Sequence, residues 1–217
     1  GKCQPILQHM LQGIELDDNP FLHNFGQDKL IQFIYQDEDI AVINKPNDLL
    51  SVPGKNIQDS VYSRLKALYP NASGNLIVHR LDMATSGIML IALTTKAHFN
   101  LQKQFIKRTI KKKYLALLDG IVSEKSGEIN LPLRLDFNNQ PYQMVCFDQG
   151  KKALTLWEVI EKRDNKTLVA FYPHTGRTHQ LRVHAAHLNG LNTAIVGDDL
   201  YGTKADRLYL QASEITF

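Results

Sequence analysis

The sequence predicts an α+β fold, with a mixed and mostly antiparallel sheet flanked by a few helices and loops. Three observations carry that expectation. Several strand-like runs follow one another directly, helical periodicity is confined to a few segments, and 217 residues at 43% hydrophobic and 22% charged composition suffice for one substantial core without repeats or low-complexity tracts.

Taken in order, Gly1 to Lys29 shows weak periodicity and reads as an arm or short helix, with Asp17-Asp18-Asn19-Pro20 as a turn. Phe33-Ile34-Tyr35 and Ile40 to Asn44 flank a polar stretch and predict a hairpin, which Lys45-Pro46 ends because proline lacks a ladder N–H. Val61, Leu65 and Leu68 recur at helical spacing after Asp59 or Ser60 as N-cap, and Pro70 closes that helix. Ile88 to Leu93 is apolar throughout and predicts a buried strand. The next helix is capped by Thr94 or Thr95, with Ala97, Leu101 and Phe105 on its inner face. Tyr114 to Leu118, Leu154 to Ile160 and Leu168 to Tyr172 read as strands, and a last helix is expected from about Thr178 to Leu188, with Gly190 past its end.

Composition excludes several classes of protein. The apolar run Ile88 to Leu93 falls far short of the roughly 18 to 20 residues that span a bilayer, and the N-terminal stretch lacks a continuous apolar signal region. Two cysteines, Cys3 and Cys146, rule out a disulfide framework and point to a reducing cytoplasm. A net charge of +3 indicates no particular partner, but its distribution is uneven. Lys96, Lys103, Lys107, Arg108, Lys111, Lys112 and Lys113 occur with no acid among them. This run is either a solvated helix face followed by a polar turn, or a ridge that tracks phosphates.

The stretch with most chemical content is His79-Arg80-Leu81-Asp82-Met83-Ala84-Thr85-Ser86-Gly87, a polar loop leading into the buried strand. An Asp before Thr, Ser and Gly ordinarily caps a turn. Here the whole string resembles the active-site motif of the RluA-type pseudouridine synthases, in which the invariable acid matches Asp82. Lys112-Lys113-Tyr114-Leu115-Ala116 resembles the family's second motif, which implies that Tyr114 lies against the target base. His174-Thr175-Gly176-Arg177-Thr178-His179-Gln180-Leu181-Arg182-Val183-His184 resembles the third, whose arginine after Gln-Leu, Arg182 rather than Arg177, ion-pairs with the acid. The three motifs occur in family order, and the resemblance runs from about Ile31 to Phe217.

The resemblance implies a pseudouridine synthase fold and an isomerase that converts uridine to pseudouridine in RNA, with no cofactor and no metal. Asp82, Arg182 and Tyr114 would be catalytic. Arg80, Lys107, Lys111, Lys112 and Lys113 would bind RNA, with His79, Thr85, Arg177 and Leu181 in support. Arg80 could fill the position vacated by a flipped base or hold a phosphate, and an ordinary structural ion pair is the other option. Leu49-Leu50-Ser51-Val52-Pro53-Gly54 and Leu131-Pro132-Leu133 with Asp136 look closest to the dual-specificity branch, which acts on a tRNA anticodon stem-loop and 23S ribosomal RNA. Residues 1–30 would be an arm, too short for an S4 domain, and 31–217 a monomeric catalytic domain whose last strands follow Phe217. Two competing readings remain. A metal-dependent hydrolase could use His174, His179, His184 and His187, and a non-catalytic RNA-binding module could use the basic run with exposed Tyr142 and Tyr201.

Overall fold

A computed structural model of the chain describes residues 30–217, so the expected N-terminal arm lies outside the described residues. The chain divides into two compact units. One holds residues up to Ile110 together with Gln211–Phe217, and the other holds Lys111–Leu210.

In the first unit, β1 (Gln32–Gln36) and β2 (Ile40–Lys45) form the expected antiparallel hairpin. Asp37 turns the chain by accepting the N–H groups of Asp39 and Ile40, each at 2.8 Å. Strand β2 pairs antiparallel with β3 (Ser86–Ala92), and β3 pairs in parallel with β10 (Leu210–Thr216). Gly87 stands opposite Ala212 at φ 124°, where an added Cβ would lie 2.2 Å from the Ala212 carbonyl oxygen, so only glycine permits this pairing. Helix α1 (Val61–Leu68) starts with a reciprocal capping box between Ser60 and Ser63. Leu68 was expected on its inner face, yet it is 57% exposed because the helix ends there and Tyr69 takes the C-cap. Helix α2 (Thr95–Lys107) is capped by Thr94 and ends at Arg108 in the left-handed conformation. Its Ala97 and Leu101 pack with Val42, Ile88, Leu90 and Ala92 as the core of the unit, and Phe105 lies partly buried against them.

The second unit begins with β4 (Lys111–Leu118), which is longer than the sequence suggested. The basic residues read as a turn are its first three positions. Strands β5 (Ser126–Asn130), β8 (Leu154–Arg163) and β9 (Lys166–Pro173) join it in the order β4-β9-β8-β5, antiparallel throughout. Asp164 and Asn165 both have positive φ and close the β8–β9 hairpin tightly. Strand β5 and the small hairpin of β6 (Leu133–Leu135) and β7 (Gln143–Val145) were not foreseen. They are short and, in β5, only Ile129 is buried, so no apolar alternation marks them. Helix α3 (Gln180–Ala186) is shorter than expected at both ends, since His179 adopts a left-handed conformation and Leu188 is exposed. No helix among the described residues is long and apolar enough to cross a membrane.

Candidate active site

In the first unit, the loop that carries Asp82 is held through its backbone from several sides. Ser51 is buried, and its hydroxyl donates to the Leu81 carbonyl at 2.7 Å while accepting the Leu81 N–H at 3.0 Å, as a strand partner would. Lys45 is fully buried, and its Nζ donates to the carbonyls of Pro46 and Leu49 at 2.7 Å and of Met83 at 3.1 Å. Three carbonyl acceptors require three N–H donors, which only the ammonium form supplies. Thr85 is buried, and its N–H closes a turn on the Asp82 carbonyl at 3.0 Å. His79 Nε2 accepts the Leu90 N–H at 2.9 Å, and its ring stacks on Phe105 with centroids 4.9 Å apart. Residues on both sides of Asp82 are therefore anchored, while Asp82 itself is half-exposed and Arg80 is exposed.

In the second unit, the third motif divides into a clamp and a display. Gln180 is buried and uses all of its amide. Its Oε1 accepts from the Thr175 hydroxyl at 2.7 Å and the Arg177 N–H at 3.0 Å, and its Nε2 donates to the Leu154 carbonyl and the Thr155 hydroxyl at 3.1 and 3.0 Å. Thr155 also meets His184 Nδ1 at 2.9 Å, and His184 Nε2 meets the Leu131 carbonyl at 3.0 Å. Because a carbonyl only accepts, Nε2 carries the proton, and burial favours the neutral ring, whose Nδ1 then accepts from the Thr155 hydroxyl. Burial, the larger influence, and the nearby His187 push its pKa below the usual histidine range, against the Leu131 carbonyl, which raises it. Arg177 donates through Nε to the Lys152 carbonyl at 2.9 Å, and Leu181 is buried, so both serve the packing of this segment.

Arg182 is 4% exposed, and it grips two acids that the sequence reading missed. Its Nε and Nη2 donate to Asp198 at 2.9 and 2.6 Å, and Nη2 also reaches Asp199 at 3.2 Å. The guanidinium lies 5.4 Å from the centroid of Tyr201. Tyr201, read as exposed, is half-buried. Its hydroxyl accepts the Gln143 N–H and meets His179 Nδ1, both at 2.7 Å. A buried arginine demands a carboxylate, and Asp198-Asp199 after Gly197 was the signal available in the sequence.

Tyr114 is half-buried on β4, in register with Phe171. Alternation along the strand puts Lys112 on the same face as Tyr114, while Lys111 and Lys113 take the other. Lys112 is half-buried, and burial holds its ammonium below the usual lysine range. A Cβ at Gly176 would stand 3.4 Å from its Nζ, which places this cation beside the third motif. Lys107 is exposed in the last turn of α2 and Lys111 is exposed at the start of β4. The four histidines bunched in the sequence take separate tasks. His174 is exposed, His179 meets Tyr201, His184 is consumed at both nitrogens, and His187 Nδ1 accepts the Asn189 N–H at 3.1 Å.

Comparison with known proteins aligns residues 39–187 with a family model described as RNA pseudouridylate synthase. The dual-specificity RNA pseudouridine synthase RluA of Vibrio cholerae is 43% identical over 202 residues, covering 90% of this chain and 80% of its own. Its namesake in Escherichia coli K12 is 44% identical over 202 residues, covering 89% and 90%. Among solved structures, human RNA pseudouridylate synthase domain containing 1 matches with a TM-score of 0.72 at 30% identity, over 86% of this chain and 78% of that one.

Proposed function

The chain belongs to the RNA pseudouridylate synthase family, and from that premise we propose that it works through the Asp82 carboxylate on a tRNA anticodon stem-loop and on 23S ribosomal RNA. That it is an RNA pseudouridine synthase, an isomerase, follows from the family model and from relatives matched over nine-tenths of the chain. The observation that carries the assignment of the acid is the presentation of Asp82. Its neighbours on both sides are pinned by Ser51, Lys45 and Thr85, and Asp82 itself is half-exposed. That there are two RNA substrates is supported by the dual specificity named for the relatives, and their identity by the motif resemblance. We treat residues 31–217 as one catalytic domain, a reading supported by a family match that extends from 39 to 187, across both units.

The reaction breaks the C1′–N1 glycosidic bond, turns the uracil, and joins C1′ to C5. C5 loses a proton and N1 gains one, so no electrons enter or leave and no water is consumed. Neither a redox cofactor nor a metal is demanded by that balance. Asp82 attacks as a nucleophile or removes a sugar proton, and either role needs the ionised acid, with which the motif resemblance pairs Arg182. The target uridine must leave its stack, at a cost of a few kcal/mol. Stacking on Tyr114 returns about 1 to 3 kcal/mol. Arg80, exposed two residues before the acid, fills the vacated position or holds a phosphate. Lys107, Lys111, Lys112 and Lys113 take the RNA backbone, and a phosphate beside half-buried Lys112 offsets the desolvation of its ammonium. The enzyme works as a cytoplasmic monomer.

The test uses RNA labelled with 5-tritiated uridine and purified from cells lacking the gene, because forming C1′–C5 releases the tritium. Asp82→Asn should cut release below about one-thousandth of wild type. RNA affinity should stay level or rise slightly, since a negative charge that repels phosphate is removed. Arg182→Met should be similarly inactive, and Tyr114→Ala should lose turnover more than binding. Ready tritium release by Asp82→Asn would remove the acid from the mechanism.

A further inference from the structure

We infer that Asp198 is the positioning residue of Arg182, setting the plane and direction of the guanidinium rather than merely neutralising its charge. The inference rests on the reading that gives Arg182 a part in the reaction. Asp198 is completely buried, and its two oxygens serve four donors. Oδ2 takes Arg182 Nε at 2.9 Å, while Oδ1 takes Arg182 Nη2 at 2.6 Å and the backbone N–H groups of Leu200 and Tyr201, both at 3.1 Å. Two of these donors belong to the turn that carries the aspartate itself, so the carboxylate is oriented by its own backbone before it meets the arginine.

That turn is rigid for independent reasons. The Asp198 N–H donates to the Ile195 carbonyl at 3.1 Å, and the Gly202 N–H donates to the Asp198 carbonyl at 3.0 Å. Gly197 has φ 79°, and an added Cβ would lie 1.6 Å from the Arg207 carbonyl oxygen, which locks the entry to the turn. Tyr201, whose N–H the same aspartate holds, brings its ring to 5.4 Å from the guanidinium carbon. One carboxylate thus fixes both the edge and the face of Arg182. Planar two-point pairing of this kind specifies an orientation that a point charge cannot. Asp199 differs. It is 60% exposed and touches Nη2 alone at 3.2 Å, so it supplies charge without orientation.

The experiment measures kcat and KM for tritium release from the same labelled RNA, with thermal melting to confirm folding. Asp198→Asn keeps an oxygen for Leu200 and Tyr201 but turns an amide donor toward Arg182 Nε. Its kcat should fall on the order of 10²-fold, with KM within about threefold of wild type. Arg182→Lys keeps the charge and leaves the turn intact, but cannot form the fork, and should fall comparably. The double variant should be no worse than Arg182→Lys within about threefold, since the aspartate acts only through the arginine. Asp199→Asn should stay within about threefold of wild type. Wild-type kcat in Asp198→Asn or in Arg182→Lys would overturn the proposal, as would losses that multiply in the double variant. If Asp198→Asn fails to fold, Arg182→Lys decides the matter alone. An active Arg182→Met would instead sink the underlying reading, whereas inactive Arg182→Met beside fully active Asp198→Asn would sink the positioning role only.

Discussion

The two charged groups singled out by the motifs are presented in opposite ways. Around Asp82, side chains from elsewhere in the fold reach in and bond to the backbone of the loop, as Ser51 does at Leu81 and Lys45 at Met83. Around Arg182, side chains bond to the charged group itself, Asp198 also holds the Tyr201 backbone N–H, and the Tyr201 hydroxyl meets His179. The difference follows from charge and burial. A half-exposed aspartate can be solvated, so its loop needs only to be shaped. An arginine that is 4% exposed must have its charge and its donors satisfied in place. The first arrangement leaves a group open to substrate, and the second gives a group a fixed direction.

Lys45→Met offers the severest way to break this contrast. The substitution removes a buried cation and leaves three carbonyls, those of Pro46, Leu49 and Met83, without their donor. Stability should fall by about 4 kcal/mol, measured by urea denaturation. In the surviving folded protein, turnover on labelled RNA should fall roughly a hundredfold, with affinity changed much less. If turnover per folded molecule stayed at the wild-type level, the shape of the loop would not depend on its anchors, and the distinction between the two regions would collapse.

What could be read in advance divides along the same line. The Asp82 loop was legible as a motif, but its supports were not. Ser51 lies 30 residues and Lys45 38 residues away from the positions they hold, and nothing in the local pattern connects them. In the third motif, Gln180 reaches Thr175 and Arg177 within the same short stretch, so its clamp stays inside the recognisable string. Asp198 is not legible in this way, because it lies 16 residues beyond Arg182 and outside the recognisable string. The strands rich in apolar residues, β2, β3 and β9, were foreseen. Strands β5, β6 and β7 were not, since their backbone pairing rather than apolar alternation defines them.

A finer probe is Ser51→Ala, which keeps the volume of the site but removes one hydroxyl. Both polar groups of Leu81, itself buried, lose their partner. The expected cost is about 2 kcal/mol in the denaturation midpoint. Turnover should fall roughly tenfold, because the residue before Asp82 is freed while Lys45 still holds the residue after it. A loss equal to that of Lys45→Met would mean that the loop is held as one cooperative unit. A loss of stability without loss of turnover would mean that only the Met83 side matters.

The smallest effect concerns acid and tests the other region. His184 is neutral, with Nε2 donating to Leu131 and Nδ1 accepting from Thr155, whose oxygen already receives the Gln180 amide. A second proton would turn Nδ1 from acceptor to donor and make the Thr155 hydroxyl rotate away, and burial already holds this imidazole below its ordinary value. The unfolded chain takes up the proton near a pH of about 6.5, whereas the folded chain resists it. Stability from this group is therefore complete above that value and is lost as pH falls through it. His184→Gln, which cannot titrate, should be less stable than wild type by about 1 to 2 kcal/mol at pH 8. The two urea midpoints should converge as pH is lowered toward 5, because only the wild type bears the added penalty. Midpoints that stay parallel across that range would show that the histidine is protonated in the fold at no cost, and the chain from Thr175 through Gln180 and Thr155 to His184 would then lack the neutral end that burial favours.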